Sequence, residues 1–490
     1  MTIARPRLRA PTREGWLLVL AALGVFLAAD DQTSVVAILP SMIESIGLTQ
    51  DRFHEAAWIV NGYILGYVVA MPLMGRLADS LGHGRVFAAA LGLFLAGSAW
   101  VALSNGLTML VIARAVQAIG GGAVVPVAMA IVLSSAAPSR RALGLGAMAA
   151  ASEAGALVGP LWGGGIAELL GWRAVFWINI PLCLPIAVAI WRLASQRPAG
   201  DLRGVDFLGV ALLGLSLVCL TVALTDDPIA PRAAGVTAGL FVAAALLFVA
   251  FVLRQTRAPE PVVDLSAFRR LPVSAGFLTN ALSGGTLIVA MVGVPLFTNV
   301  ILEDSALAGG LNLMRLSVAL ATAAFIGGWL AGRIGFSATT ALGMLLAGIG
   351  FIGMSAWDAD PGFVAFTLPL LIAGFGFGMI IAPVNAAVLN EAGESHRATT
   401  ASLLTVVRLV GALVGVALLT TRGLGGFYAQ AGLIPLDDPR FVDLVRDVQV
   451  DTFHETFRAT AYVCFATIIP ALLLQPPFWR RSTRDRDAAV

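Results

Sequence analysis

Of the chain's 490 residues, 58% are hydrophobic, and the formal charges, 31 basic and 29 acidic, nearly cancel; mean hydropathy is +0.88. That balance excludes an ordinary soluble fold. It also excludes a transmembrane barrel, whose strands alternate apolar and polar residues instead of forming the long apolar runs seen here. A net charge of +2 supplies no field for a polyanion, so nucleic acid is not a partner.

In chain order, Arg5, Arg7, Arg9 and Arg13 precede an apolar run that starts at Trp16 and continues past Asp31 to Leu39. This is full spanning length, which predicts an uncleaved first span and not a leader peptide. Further spans are predicted at 58–74, 86–103, 107–133, 142–164 and 175–191. After a polar stretch come two more, at 205–224 and 234–253. The break at 254–270 contains Pro259 and Pro261, and six spans follow at 274–297, 308–329, 338–357, 363–389, 398–420 and 457–474. The expected fold is an all-α polytopic membrane protein with fourteen spans. One six-helix bundle falls in 1–195, two linker helices in 196–270 and a second six-helix bundle in 271–490.

All 31 basic residues are arginine. With the N-terminus inside, 21 fall in inside segments, 7 in outside segments or, as Arg458, at the outer end of a span, and 3 deep in spans. The excess inside predicts a cell (cytoplasmic) membrane protein with both termini cytoplasmic. The longest outside segment, 423–456, is acidic and places Phe441, Leu444, Val445 and Val448 at helical spacing. This predicts an amphipathic helix on the outer surface. Cys183, Cys219 and Cys464 lie singly in apolar runs, and His54, His83, His396 and His454 lie far apart in connections, so no metal site is expected. With no lysine a phosphate-binding loop cannot form, and no Gly-x-Ser-x-Gly occurs; neither a cofactor nor enzyme chemistry is expected.

Between spans 2 and 3 stands Gly75-Arg76-Leu77-Ala78-Asp79-Ser80-Leu81-Gly82-His83-Gly84-Arg85, which resembles the cytoplasmic signature of the major facilitator superfamily. Ser80, His83 and Gly84 depart from its basic positions. Asp31-Gln32-Thr33-Ser34 to Pro40 in span 1, and Arg114-Ala115-Val116-Gln117 with Gly120 to Gly122 in span 4, resemble motifs of its fourteen-span drug:proton antiporter branch. So does Gly155-x-x-x-Gly159-Pro160-x-x-Gly163-Gly164 in span 5. Trp172 to Pro181, Asp206-x-x-Gly209 and Arg408-x-x-Gly411-x-x-x-Gly415 extend the match over all three segments. Ala56 to Val60, Tyr63 to Gly75 and Ser152-Glu153 look most like the mycobacterial exporters of triacylglycerides and drugs that work with a periplasmic lipoprotein. The resemblance implies a proton-coupled exporter of hydrophobic compounds, drugs or lipids, with protons as the coupling ion and a lipoprotein as a possible partner. In those exporters spans 11 and 12 extend outward as a long hairpin, whereas 357–363 leaves room here only for a short turn.

A charge near the bilayer centre costs about 2.5–3.5 kcal/mol on insertion scales and needs a partner. Six qualify: Asp30, Asp31, Glu153, Arg114, Arg315 and Arg408. At 1.5 Å per residue, Asp31 and Arg114 share a depth; the resemblance implies that spans 1 and 4 both line a central cavity, and together these predict a hydrogen-bonded pair with Gln117 on the face of Arg114. Asp30 lies about 100° round the helix and serves as a second acid or a structural cap. Glu153 and Arg408 both sit near the midplane in opposing halves, predicting a salt bridge that breaks when Glu153 is protonated; a static buried pair is the alternative. Arg315 is a candidate contact for substrate or an anionic headgroup, and Gln117 and Asp30 are further candidate substrate contacts. Membrane lipids and a hydrophobic small molecule or lipid are the expected partners.

Overall fold

The computed structural model describes residues 13–48, 55–135, 138–194, 206–225, 232–258, 268, 270–391, 397–435 and 439–475. Among them there is no strand. The first group of helices is α1 (Arg13–Ser45), α2 (Ala57–Leu81), α3 (His83–Ala102), α4 (Leu107–Ser135), α5 (Pro138–Leu170) and α6 (Trp172–Leu193). Then come α7 (Phe207–Leu224) and α8 (Ala234–Arg257). The last group is α9 (Leu271–Val300), α10 (Ala306–Ile334), α11 (Phe336–Met354), α12 (Phe363–Glu391), α13 (Arg397–Leu418), the short α14 (Gly425–Ala431) and α15 (Phe441–Leu472). Eleven described helical stretches are long and apolar enough to cross a bilayer, so the chain is a multi-pass membrane protein. The end of the bundle that carries the α1–α2, α3–α4, α9–α10 and α11–α12 connections is termed the expected outer end.

Apolar lipid offers no hydrophobic drive between helices, so close packing of small residues must hold them together. The seam between α1 and α5 illustrates this. Gly155, Gly159 and Gly163 recur every four residues on one face of α5, against the backbone carbonyls of Phe26, Asp30 and Ser34, which recur every four on α1. On the next face Gly164 meets the Ala306 carbonyl of α10, and Gly310 of α10 lies against the carbonyl of Pro160. The five motif residues therefore form two stripes: one joins α5 to its own bundle, the other joins the two groups of helices near the expected outer end. The second group repeats the first arrangement, with Gly411 and Gly415 of α13 against the carbonyls of Ala281 and Gly285 on α9.

Valine at Gly159 would drive its Cβ into Thr33 and the Asp30 carbonyl. Gly159→Val is therefore expected to lower stability by at least about 1–3 kcal/mol, the usual range for overpacking, read as an earlier thermal unfolding transition in detergent. The control Gly165→Val, where an added Cβ meets only the Leu307 side chain at 3.8 Å, should melt like the parent.

Helices α7 and α8 pack on each other, and α7 touches both α2 and α13, so this pair sits beside the seam between the groups. Asp206 caps α7 by accepting from the Gly209 backbone N–H at 3.0 Å, and Arg254 and Gln255 of α8 bind the same carboxylate at 3.0 and 3.1 Å.

Two connections differ from the sequence reading. The stretch 75–85 is not an open loop: α2 runs to Leu81 and α3 starts at His83, leaving Gly82 as the whole turn at φ 97°. Arg76 to Asp79 are good enough helix formers to continue α2, and only glycine adopts that φ readily. Gly335 makes the matching turn between α10 and α11 at φ 89°.

The second difference is at the C-terminal end. The predicted surface helix and last span are one helix, α15, which begins 16 residues before the expected start at 457, about 24 Å further out at 1.5 Å per residue. No glycine or proline interrupts it before Pro470, so nothing breaks the helix. The turn between α11 and α12 is short, as read; the outward extension stands instead at α14 and the start of α15. His454 fixes that extension by donating from Nε2 to the Trp357 carbonyl at 2.6 Å, beside packed rings of Phe297, Phe366, Phe453 and Phe457.

Candidate functional site

Asp31 of α1 and Arg114 of α4 meet inside the first bundle, with Arg114 Nη1 donating to Asp31 Oδ2 at 2.9 Å. Arg114 Nη1 also donates to Gln117 Oε1 at 2.5 Å. The amide of Gln117 donates to Asp31 Oδ1 at 2.9 Å and to Ser98 Oγ at 2.8 Å. Asn179 of α6 donates to Asp31 Oδ1 at 2.8 Å. All five side chains are buried, so four helices are tied through one carboxylate, by charge-assisted bonds that are the strong kind. The guanidinium also stacks on Tyr63, its carbon 4.0 Å from the ring centroid, where the ring face stabilises a cation.

Asn179 enters the sequence reading only within the Trp172 to Pro181 match and Ser98 not at all, because neither carries charge. The available signal was that Asn179 is a lone amide in an apolar span, and an uncharged polar group in lipid also requires partners.

A central cavity of about 160 Å³ lies between the two groups of helices. Its wall is mainly apolar and includes Val36, Ile64, Leu287 and Leu316, with Glu153 from one group and Arg408 from the other. Tyr63, Arg114 and Gln32 reach the same wall. Glu153 is exposed and Arg408 half-buried; among the described residues no ion pair joins them. The sequence reading placed them in a salt bridge. In this conformation they face a shared space as separate charges.

Arg315 does not line this cavity. It donates to Thr367 Oγ1 of α12 at 2.8 Å and lies over the Phe363 ring. Asp30 is buried between α1 and α5, with one carboxylate oxygen near Ser34. Of the α2–α3 signature, Arg85 is exposed, and the side chains at Gly75, Arg76 and Asp79 lie outside the described residues.

A second, larger cavity of about 670 Å³ opens at the expected outer end. Leu39, Val60, Leu296 and Val416 line it together with Phe427 and Tyr428 of α14 and Phe453 of α15, and Glu44, Glu303 and Asp304 stand among the lining. Among the described residues no group of three or more His, Cys, Asp or Glu could hold a metal.

The sequence profile of the Major Facilitator Superfamily matches residues 21–416. The chain belongs to this superfamily. It is 32% identical over 453 residues to a triacylglyceride transporter of Mycobacteroides abscessus, covering 90% of this chain and 88% of that one. It is likewise 32% identical over 486 residues to a triacylglyceride transporter of Mycobacterium tuberculosis, covering 92% and 93%. Among solved structures it is similar to a bacterial homolog of the human lysosomal transporter Spinster, with a TM-score of 0.68, 17% identity, and 96% and 100% of the two chains covered. It is also similar to the human organic anion transporter MFSD10, at a TM-score of 0.55, 19% identity, and 95% and 100% covered. The chain is thus a transporter by family, and its helices form the superfamily's fold.

Proposed function

We propose that the protein is a proton-coupled exporter of long-chain neutral lipid of the triacylglyceride kind, working by alternating access across the cytoplasmic membrane. In this reading it has fourteen spans, both termini lie in the cytoplasm, and it hands its substrate to a periplasmic lipoprotein. The observation that carries it is the central cavity: an apolar wall between two groups of helices, with one acid, Glu153, and one base, Arg408, supplied from opposite sides. The apolar wall accepts acyl chains without desolvation cost. Protonation of Glu153 removes the charge that attracts Arg408, so the state in which the two pair and the state in which they part bind protons differently. Any such difference couples the conformational equilibrium to the proton gradient. Each charge crossing is worth about 2.3 kcal/mol per 100 mV, enough to drive export without a nucleotide.

The relatives named triacylglyceride transporters support the lipid over other hydrophobic cargo. The extension of α14 and α15 over the outer cavity supplies an outward element where a lipoprotein can receive it. A second reading, export of hydrophobic cations such as drugs, is favoured by Glu44, Glu303 and Asp304 beside Phe427 and Phe453, since carboxylates and ring faces both attract a cation.

The test is transport in proteoliposomes with an imposed pH gradient, offering a fluorescent triacylglyceride and, separately, a cationic dye. Gradient-dependent movement of the triacylglyceride, abolished by an uncoupler, is the expected result. Movement of the dye alone would move the assignment to the second reading, and gradient-independent movement of both would overturn proton coupling.

A further inference from the structure

Asp30 is the one of the three in-span acids Asp30, Asp31 and Glu153 that belongs neither to the Arg114 network nor to the mechanism above. Its carboxylate is 3% exposed as part of a buried residue, and its Oδ1 has no hydrogen-bond partner among the described residues. Its Oδ2 lies 3.4 Å from Ser34 Oγ. That same hydroxyl oxygen lies 2.9 Å from the Gly159 carbonyl of α5. A carbonyl can only accept, and a serine hydroxyl has a single proton. The shorter contact therefore takes the serine proton, and the Asp30 contact is left without one.

If Asp30 were ionised, two lone-pair-bearing oxygens would face each other there with no hydrogen between them. A carboxylic acid removes the conflict: its O–H donates to Ser34 Oγ, and Ser34 donates to Gly159. The surroundings agree. On its own helix the facing charge is Asp31, whose cation Arg114 is already bound to Asp31 and Gln117. On α6 the facing titratable group is the Cys183 thiol, and on α5 Gly155 and Gly159 lie against the Asp30 backbone. Among the described residues no cation is placed to hold a carboxylate there, and an unpaired buried charge is strongly disfavoured.

We propose that Asp30 carries a proton in this conformation and is a second proton-binding site, distinct from Glu153, gated by the seam between α1 and α5. When the seam parts, Ser34 loses the Gly159 carbonyl and its proton turns to Asp30. The acid then gives its own proton to entering water, leaving a carboxylate and a hydronium ion. The seam is the stripe Gly155, Gly159 and Gly163, on the helix that also carries Glu153, so release at Asp30 is tied to the same movement. The coupling part of this inference rests on the proton-driven reading; the protonation of Asp30 does not.

Infrared spectroscopy of the full-length protein in lipid nanodiscs tests the protonation directly. At neutral pH the wild type should show a protonated-carboxyl C=O band that is lost in Asp30→Asn and kept in Asp31→Asn. Ser34→Ala should shift that band upward, because the O–H loses its acceptor. Asparagine is nearly isosteric with the neutral acid and can donate to Ser34, so the variant should fold. In proteoliposomes with an entrapped pH dye and a fluorescent triacylglyceride, Asp30→Asn should move one fewer proton per substrate than wild type. A protonated-carboxyl spectrum unchanged in Asp30→Asn overturns the inference, as does an unchanged proton count. Wild-type transport with no proton movement overturns the proton-driven reading itself, and is seen before any variant is compared.

Discussion

Arg114→Ala is expected to destabilise the protein by about 3–5 kcal/mol, the usual cost of removing one partner of a buried ion pair. Asp31 would keep the amides of Gln117 and Asn179 but lose its counter-charge in a site only 1% exposed. Gln117 would lose its donor, and Tyr63 the cation over its ring. Because the carboxylate ties α1, α4 and α6, and through Ser98 also α3, the loss is felt across the bundle and should appear as a markedly earlier thermal unfolding transition in detergent. Asp31→Asn combined with Arg114→Gln removes both charges and keeps polar groups at both positions. The pair should recover most of the stability, since replacing both partners of a buried bridge can be nearly neutral. Wild-type melting of Arg114→Ala would show that the pair holds nothing together. Equal melting of the single and double variants would show that the orphaned charge is not the cause.

Much of this site was legible because charge inside an apolar run is rare and depth along a helix is arithmetic. Asp31, Arg114 and Gln117 could be brought together from residue counts once the resemblance placed spans 1 and 4 on the same cavity. Asn179 and Ser98 complete the network but escaped, since an uncharged polar residue in a span has many packing roles and no sign to pair by. The glycine motif was legible as a place of close approach, but its two functions were not. Which stripe faces α1 and which faces α10 depends on helix rotation, which the sequence pattern of an all-apolar helix does not set.

Arg315 stands out in the sequence by its charge, but its neighbours Thr367 and Phe363 could not be assigned before α10 and α12 were placed side by side. The long α15 was read as two elements because its acidic first turns differ in composition from its apolar end. Composition marks where a helix leaves the lipid, whereas glycine and proline mark where it stops, and here these are different places.

The second large effect is expected at Glu153. Glu153→Gln should abolish gradient-driven export while leaving folding unchanged, because the side chain already faces an open cavity and a neutral amide removes no buried partner. Arg408→Ala should also abolish export. Truncation removes the Cγ contact with Gly284 but keeps the nearer backbone carbonyl against it, so helix packing should survive. The two losses have different signatures if the charges act as a pair that forms and parts. Glu153→Gln mimics the permanently protonated state, so substrate should still bind, and exchange down a substrate gradient should continue without a pH gradient. Arg408→Ala leaves Glu153 without its partner in either state, and both modes should slow. Both variants can be compared in the same proteoliposomes, by counterflow for exchange and by an imposed pH gradient for export. Full gradient-driven export by Glu153→Gln would remove this residue from proton coupling, and normal transport by Arg408→Ala would remove the pair.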